Sequence, residues 1–219
     1  MSAAPPPSHL TPTPCTGESE AKRQQILSGA KVIFANHGFE GASMSAIARE
    51  AGVSKGTLYN YFTNKADLFA AFVEQNCREK LPAALAPIQT VNLPVKEKLA
   101  AIARAMVHLI TAPESIMLYR IIVSEAPHFP ELATVFWQHG PKLAIGTLSN
   151  WIQEQVDRGA LHVDDPVFAA EQFFTLCQTR IGHRKRFNMP LENEDADREK
   201  VIHAAVHVFL AAYGTDKAS

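Results

Sequence analysis

His203 and His207 stand four residues apart, the spacing at which two imidazoles share a helical face and can hold a metal ion. A hydrolase built on such a pair needs a glutamate directly after the first histidine. Ala204 occupies that place and no third ligand is indicated, so neither a metal nor a hydrolytic enzyme is expected there. No two glycines stand in Gly-x-Gly, no Gly-Lys-Ser/Thr phosphate loop occurs, and a Gly-x-Ser-x-Gly elbow is missing. Cys15, Cys77 and Cys177 are odd in number and far apart, which builds neither a disulfide framework nor a zinc site and implies a reducing, cytoplasmic compartment. The run Arg184-Lys185-Arg186 falls near a helix C-terminus, where cations complement the helix dipole. The residue types that suit a defined task lie between Met44 and Lys65. There Lys55, Gly56, Thr57, Asn60 and Tyr61, flanked by Tyr59, supply short or planar donors and acceptors on one short helix, as a DNA groove requires.

The elements that must hold these residues follow from periodicity. Ile26, Ala30, Ile33 and Phe34 repeat at helical spacing until His37-Gly38-Phe39 ends the pattern. Ser43 is placed to cap a second helix, where Met44, Ile47, Ala48 and Ala51 fall on one face before Gly52 stops it. Ser54 caps a third helix with Leu58 and Phe62 inward, and Asn64 with Asp67 forms a capping-box pattern at the start of a fourth. Within this helix-turn-helix pattern Ala48 is small for close approach, Gly52 supplies the positive φ of the turn, and Val53 plugs the angle between the helices. Later helices are expected over Pro113 to Ser124, Pro141 to Arg158, Pro166 to Arg186 and Asp197 to Tyr213, with the prolines marking boundaries or first turns. No period-2 strand and no repeat is visible.

The composition, 219 residues with 47% hydrophobic and 20% charged, suits a folded globular chain. No apolar run reaches the roughly 18 residues of a membrane span. The proline-rich start reads as a disordered arm over 1–17 and not as a signal peptide. Net charge is −1, yet Ala21 to Lys80 carries eight basic and five acidic residues, leaving the remainder with 13 basic and 17 acidic. The mild positive charge therefore lies where the groove-reading residues lie.

Gly38-Phe39, Ser43-Met44, Ile47-Ala48, Ala51-Gly52-Val53-Ser54-Lys55-Gly56-Thr57-Leu58-Tyr59, Tyr61-Phe62, Lys65 and Leu68-Phe69 resemble the DNA-binding module of the TetR family, over about Ala21 to Phe72. The resemblance implies an all-α protein, with an N-terminal three-helix helix-turn-helix DNA-binding domain over 18–64 and a larger C-terminal effector-binding and dimerisation domain over 65–213. It implies operator contacts from Ser43, Lys55, Thr57, Tyr59, Tyr61 and Lys65, with Ser54, Gly56 and Asn60 completing the set. Tyr119-Arg120, Ser124-Glu125-Ala126-Pro127, Phe129-Pro130-Glu131-Leu132 and Gly140-Pro141 are similar to the AefR-like type of C-terminal domain.

An effector pocket is expected among Phe69, Phe72, Met106, Met117, Trp137, Trp151 and Phe173, with His108 and Arg120 orienting the ligand. A homodimer is expected through Phe173, Leu176, Cys177 and Ile181 together with Val201, Ile202, Ala205, Val208 and Phe209. Three classes stay open: a ligand-responsive DNA-binding regulator without cofactor, an all-helical enzyme using histidines, and an interaction protein that has lost effector binding. The first is favoured. It would act most simply as a repressor released by a small apolar or aromatic effector from a near-palindromic operator of double-stranded DNA, although the sign of regulation depends on where that operator lies.

Overall fold

The computed structural model describes residues 17–89 and 93–216. The expected arm, apart from Gly17, and Cys15 lie outside the described residues. Eleven helices form among the described residues: α1 (Gly17–Gly41), α2 (Met44–Glu50), α3 (Lys55–Tyr61), α4 (Lys65–Gln89), α5 (Val95–Thr111), α6 (Pro113–Glu125), α7 (Pro130–His139), α8 (Pro141–Asp157), α9 (Pro166–Cys177), α10 (Ile181–Arg186) and α11 (Glu194–Tyr213). No strand forms there, only one antiparallel bridge between Leu161 and Gly214.

α1 bends out of helical geometry at Gly38, whose φ of 67° and ψ of −174° no β-carbon would tolerate cheaply. That bend returns Phe39 to the core. Phe34 is fully buried beside Phe69, the rings meeting edge-on with centroids 4.9 Å apart, and Phe39 and Phe72 complete the cluster. Leu118, Ile121 and Ile122 of α6 and Leu132 of α7 close the same core. The apolar centre that begins in α1 therefore continues past Asn64 through the first half of α4. A second core gathers α5, α8, α9 and α11 around Leu99, Ile102, Leu148, Ile152, Phe173 and Phe209.

Several helix limits differ from the sequence expectation, each for a local reason. Pro82 and Pro87 lie inside α4 instead of ending it. Each removes one backbone hydrogen bond, but Leu81, Leu85 and Ile88 are buried in the second core and hold the helix across both. The helix expected from Pro166 to Arg186 breaks after Cys177, where Arg180 takes a φ of 61° and ion-pairs with Asp197 of α11. α11 starts three residues before Asp197, because Asn193 accepts a hydrogen bond from the Ala196 N–H at 3.0 Å. The sequence marks α7 only through the motif Phe129-Pro130-Glu131-Leu132. By contrast, Pro113, Pro130, Pro141 and Pro166 all open helices.

The expected subunit interface needs correction. Phe173, Cys177, Ile181, Val201, Ile202, Ala205 and Phe209 are buried within the chain itself, and Phe173 meets Phe209 edge-on at 5.2 Å. These apolar faces are covered intramolecularly by α5, which packs against both α9 and α11. Leu176 is half-buried and Val208 is exposed.

Candidate nucleic-acid interface and effector cavity

α2 and α3 are each only seven residues long and depend on their caps and neighbours. Ser43 Oγ accepts from the Ala46 N–H at 3.1 Å, and Ser54 Oγ accepts from the Thr57 N–H at 3.0 Å while sharing a hydrogen bond with the Thr57 hydroxyl at 2.8 Å. A capping hydroxyl that accepts keeps its own hydrogen for another partner. Gly52 turns the chain with φ 63°, and the Gln25 amide of α1 donates to the Ala51 carbonyl at 2.6 Å. The closest helix approach involves Gly29 rather than Ala48: a β-carbon at Gly29 would lie 2.7 Å from the Ala51 nitrogen.

This scaffold presents Lys55, Gly56, Tyr59 and Asn60 to solvent, with Tyr59 51% exposed. Thr57 and Tyr61 are half-buried, and Tyr61 packs against the first core. Lys65 is engaged inside the chain: Nζ donates to the Phe39 carbonyl at 2.6 Å and the Glu40 carbonyl at 3.3 Å and lies 4.4 Å from the centre of the Phe39 ring. It thereby satisfies carbonyls at the end of α1. Arg49, exposed in the last turn of α2, makes no ion pair among the described residues. Its spacing in the sequence carries no signal that singles it out.

A cavity of about 500 Å³ lies farther along α4, bounded by α5 to α10. Met106 and Trp137 of the expected pocket set line it. The others do not. Phe69 and Phe72 belong to the first core, Met117 packs against that core, and Phe173 and Trp151 are buried in the second core. His108 is exposed on α5. Arg120 donates through Nε to the Arg186 carbonyl and through Nη2 to the Lys185 carbonyl, both at 2.7 Å, and so holds the end of α10. Trp137 is 47% exposed. The wall adds Cys77 and Lys80 of α4, Tyr119 of α6, Phe136 of α7, Phe174 and Gln178 of α9, and Arg186. Phe174 follows Phe173 directly, and apolarity alone does not tell which of the two faces the cavity.

Burial pushes the Cys77 thiol up to about 11 and the Cys177 thiol up to about 12, which disfavours the nucleophilic thiolate at both. Burial, and then the charge of Lys31, lowers the Lys80 ammonium from its ordinary value. Lys80 of α4 and Lys31 of α1 both pair with Glu114 in the first turn of α6. Among the described residues, no three His, Cys, Asp or Glu side chains come together to hold a metal ion, and no single helix is long and apolar enough to cross a membrane.

Comparison with known proteins matches residues 26–72 to the tetR family of bacterial regulatory proteins and residues 97–215 to the C-terminal domain of AefR-like transcriptional repressors. The HTH-type transcriptional regulator UidR of Escherichia coli strain K12 is 36% identical over 75 residues, covering 34% of this chain and 38% of that protein. The match thus spans less than two fifths of that relative's length. Over nearly the whole chain, the structure resembles that of a TetR-family transcriptional regulator from Mesorhizobium loti MAFF303099, with a TM-score of 0.83, 25% identity, and 91% and 100% of the two chains covered. It also resembles the flavonoid-responsive regulator FrrA, with a TM-score of 0.73, 31% identity, and 90% and 99% covered. A capped helix-turn-helix on α1, an all-helical body behind it, and both matches in this order leave one assignment: the chain belongs to the TetR family of DNA-binding transcriptional regulators and is not an enzyme.

Proposed function

We propose that the protein is a repressor that binds a near-palindromic operator as a homodimer and is released by a small flat, largely apolar effector in the α4–α10 cavity. The observation that carries this reading is the course of α4. Its first half, with Leu68, Phe69, Phe72 and Val73, is packed into the core that supports α2 and α3. Its second half gives Asn76, Cys77, Lys80 and Leu81 to the cavity wall. A ligand that displaces the second half moves the support of the recognition helix, because a packed helix transmits shifts as a body. The similarity to an AefR-like repressor domain supports the sign of regulation, and the flavonoid-responsive relative FrrA supports a flat ligand.

Gly56, Thr57, Tyr59 and Asn60 of α3 read the groove, while Ser43, Arg49 and Lys55 meet phosphates, and the two-fold axis sets half-sites about one helical turn apart or a multiple of it. For the subunit contact, the exposed face of α11 carries Ala204, Val208, Ala211 and Ala212 at helical spacing, small side chains that let a second α11 approach closely. Fluorescence anisotropy with DNA from upstream of the gene tests the reading. Nanomolar, salt-sensitive binding that a cavity ligand weakens supports it, and binding indifferent to every cavity ligand overturns it.

A further inference from the structure

The cavity wall has two chemically different ends. α9 turns Glu171, Phe174, Thr175 and Gln178 toward it, the spacing of one helical face, so Glu171 and Gln178 stand about 10 Å apart along the helix axis. At the Gln178 end lies Arg186, whose Nη2 donates to Gln178 Oε1 at 2.5 Å and whose guanidinium carbon is 3.9 Å from the Tyr119 ring centre. Arg186 reaches the cavity because the chain turns at Arg180 and because Arg120 grips the carbonyls of Lys185 and Arg186. No carboxylate pairs with Arg186 among the described residues, whereas the other wall cation, Lys80, is paired with Glu114. At the opposite end the Glu171 carboxylate makes no hydrogen bond or ion pair among the described residues.

A guanidinium held flat by stacking and lacking a counter-ion presents its remaining N–H groups as a fork for a carboxylate. A lone carboxylate favours a hydroxyl or amino donor and repels a second acid. We propose that the cavity takes a flat aryl carboxylic acid with a hydroxyl or amino group at its far end, its carboxylate on Arg186 and its donor on Glu171. This rests on the reading of the cavity as the effector site and names the effector's class. Phe136, Trp137 and Phe174 supply ring surface for the aryl body.

The test is calorimetric titration of the full chain, without DNA, by 4-hydroxycinnamate, its methyl ester and unsubstituted cinnamate. The acid binds at least tenfold more tightly than the ester, and 4-hydroxycinnamate binds more tightly than cinnamate. Arg186→Met lowers the acid to the level of the ester and leaves the ester unchanged, Arg186→Lys restores part of the difference, and Glu171→Gln brings 4-hydroxycinnamate and cinnamate together. Equal binding of acid and ester by the unaltered chain overturns the proposal whatever the variants do. So does a folded Arg186→Met that keeps the acid's advantage, or a lack of binding by all three compounds. The expected pattern with operator affinity unchanged by the acid leaves this assignment standing and overturns the effector reading instead.

Discussion

Lys55 and Lys65 are both cations beside the recognition helix, yet their surroundings assign them different work. Lys55 is exposed and makes no ion pair among the described residues, so Lys55→Ala is expected to leave the thermal midpoint unchanged. It should weaken DNA binding evenly across sequences and flatten the slope of log affinity against log salt by about 0.9, the counterion release of one phosphate. Lys65 holds two carbonyls of the α1 terminus. Lys65→Ala should therefore cost about 1 kcal/mol of stability and lower the midpoint by roughly 2 to 4 °C, a loss Lys55→Ala does not share. Differential scanning calorimetry beside anisotropy at several salt concentrations separates the two. Gly29→Ala gains helix propensity but drives a β-carbon into the Ala51 backbone at 2.7 to 2.9 Å. A net destabilisation of about 1 to 3 kcal/mol with weaker operator binding is expected, read by chemical denaturation. The caps at Ser43 and Ser54 were legible because a capping residue acts over three positions of sequence. The embrace of Lys65 by Phe39 and the fit of Gly29 against Ala51 join residues more than twenty apart, where spacing carries no signal.

At the scale of elements, the helix starts were the legible part, since proline and capping side chains act locally, and the interruptions were not. α4 runs through Pro82 and Pro87 on tertiary packing. The break before α10 depends on Arg180 finding Asp197 on a helix that comes later. The same break brings Arg186, by sequence a helix-end charge, to the cavity wall, and leaves Arg120 holding the Lys185 and Arg186 carbonyls. α10 is tied to α11 by Glu194, whose hydrogen bonds from Lys185 and Arg198 hold its carboxyl below the usual value of 4.5. A lowered folded-state value means that the stabilisation is complete above about pH 4.5 and is lost as pH falls through the lower folded value. Glu194→Gln should thus be less stable than the unaltered chain at pH 7, and the difference should shrink as pH falls through that lower folded value. Urea midpoints at a series of pH values measure it, and a difference independent of pH would show that the ion pairs contribute nothing.

At the scale of the whole molecule, the apolar faces that the sequence offers for dimerisation are divided between an internal core and a smaller outer stripe. Val208→Arg should give a folded monomer at micromolar concentration by sedimentation velocity, whereas Phe209→Arg, placed in the second core beside Phe173, should unfold the body. The two-core plan, with α4 running from one core into the other, makes the central claim one of linkage between cavity and recognition helix. Its most direct measurement is the operator dissociation constant of the 219-residue chain at saturating and zero ligand, together with the ligand dissociation constant at saturating and zero operator. Linkage predicts that the ligand weakens operator binding about 5 to 150-fold and that operator weakens ligand binding by the same factor. A ligand that fills the cavity and raises the melting temperature, yet leaves operator affinity unchanged, would contradict it.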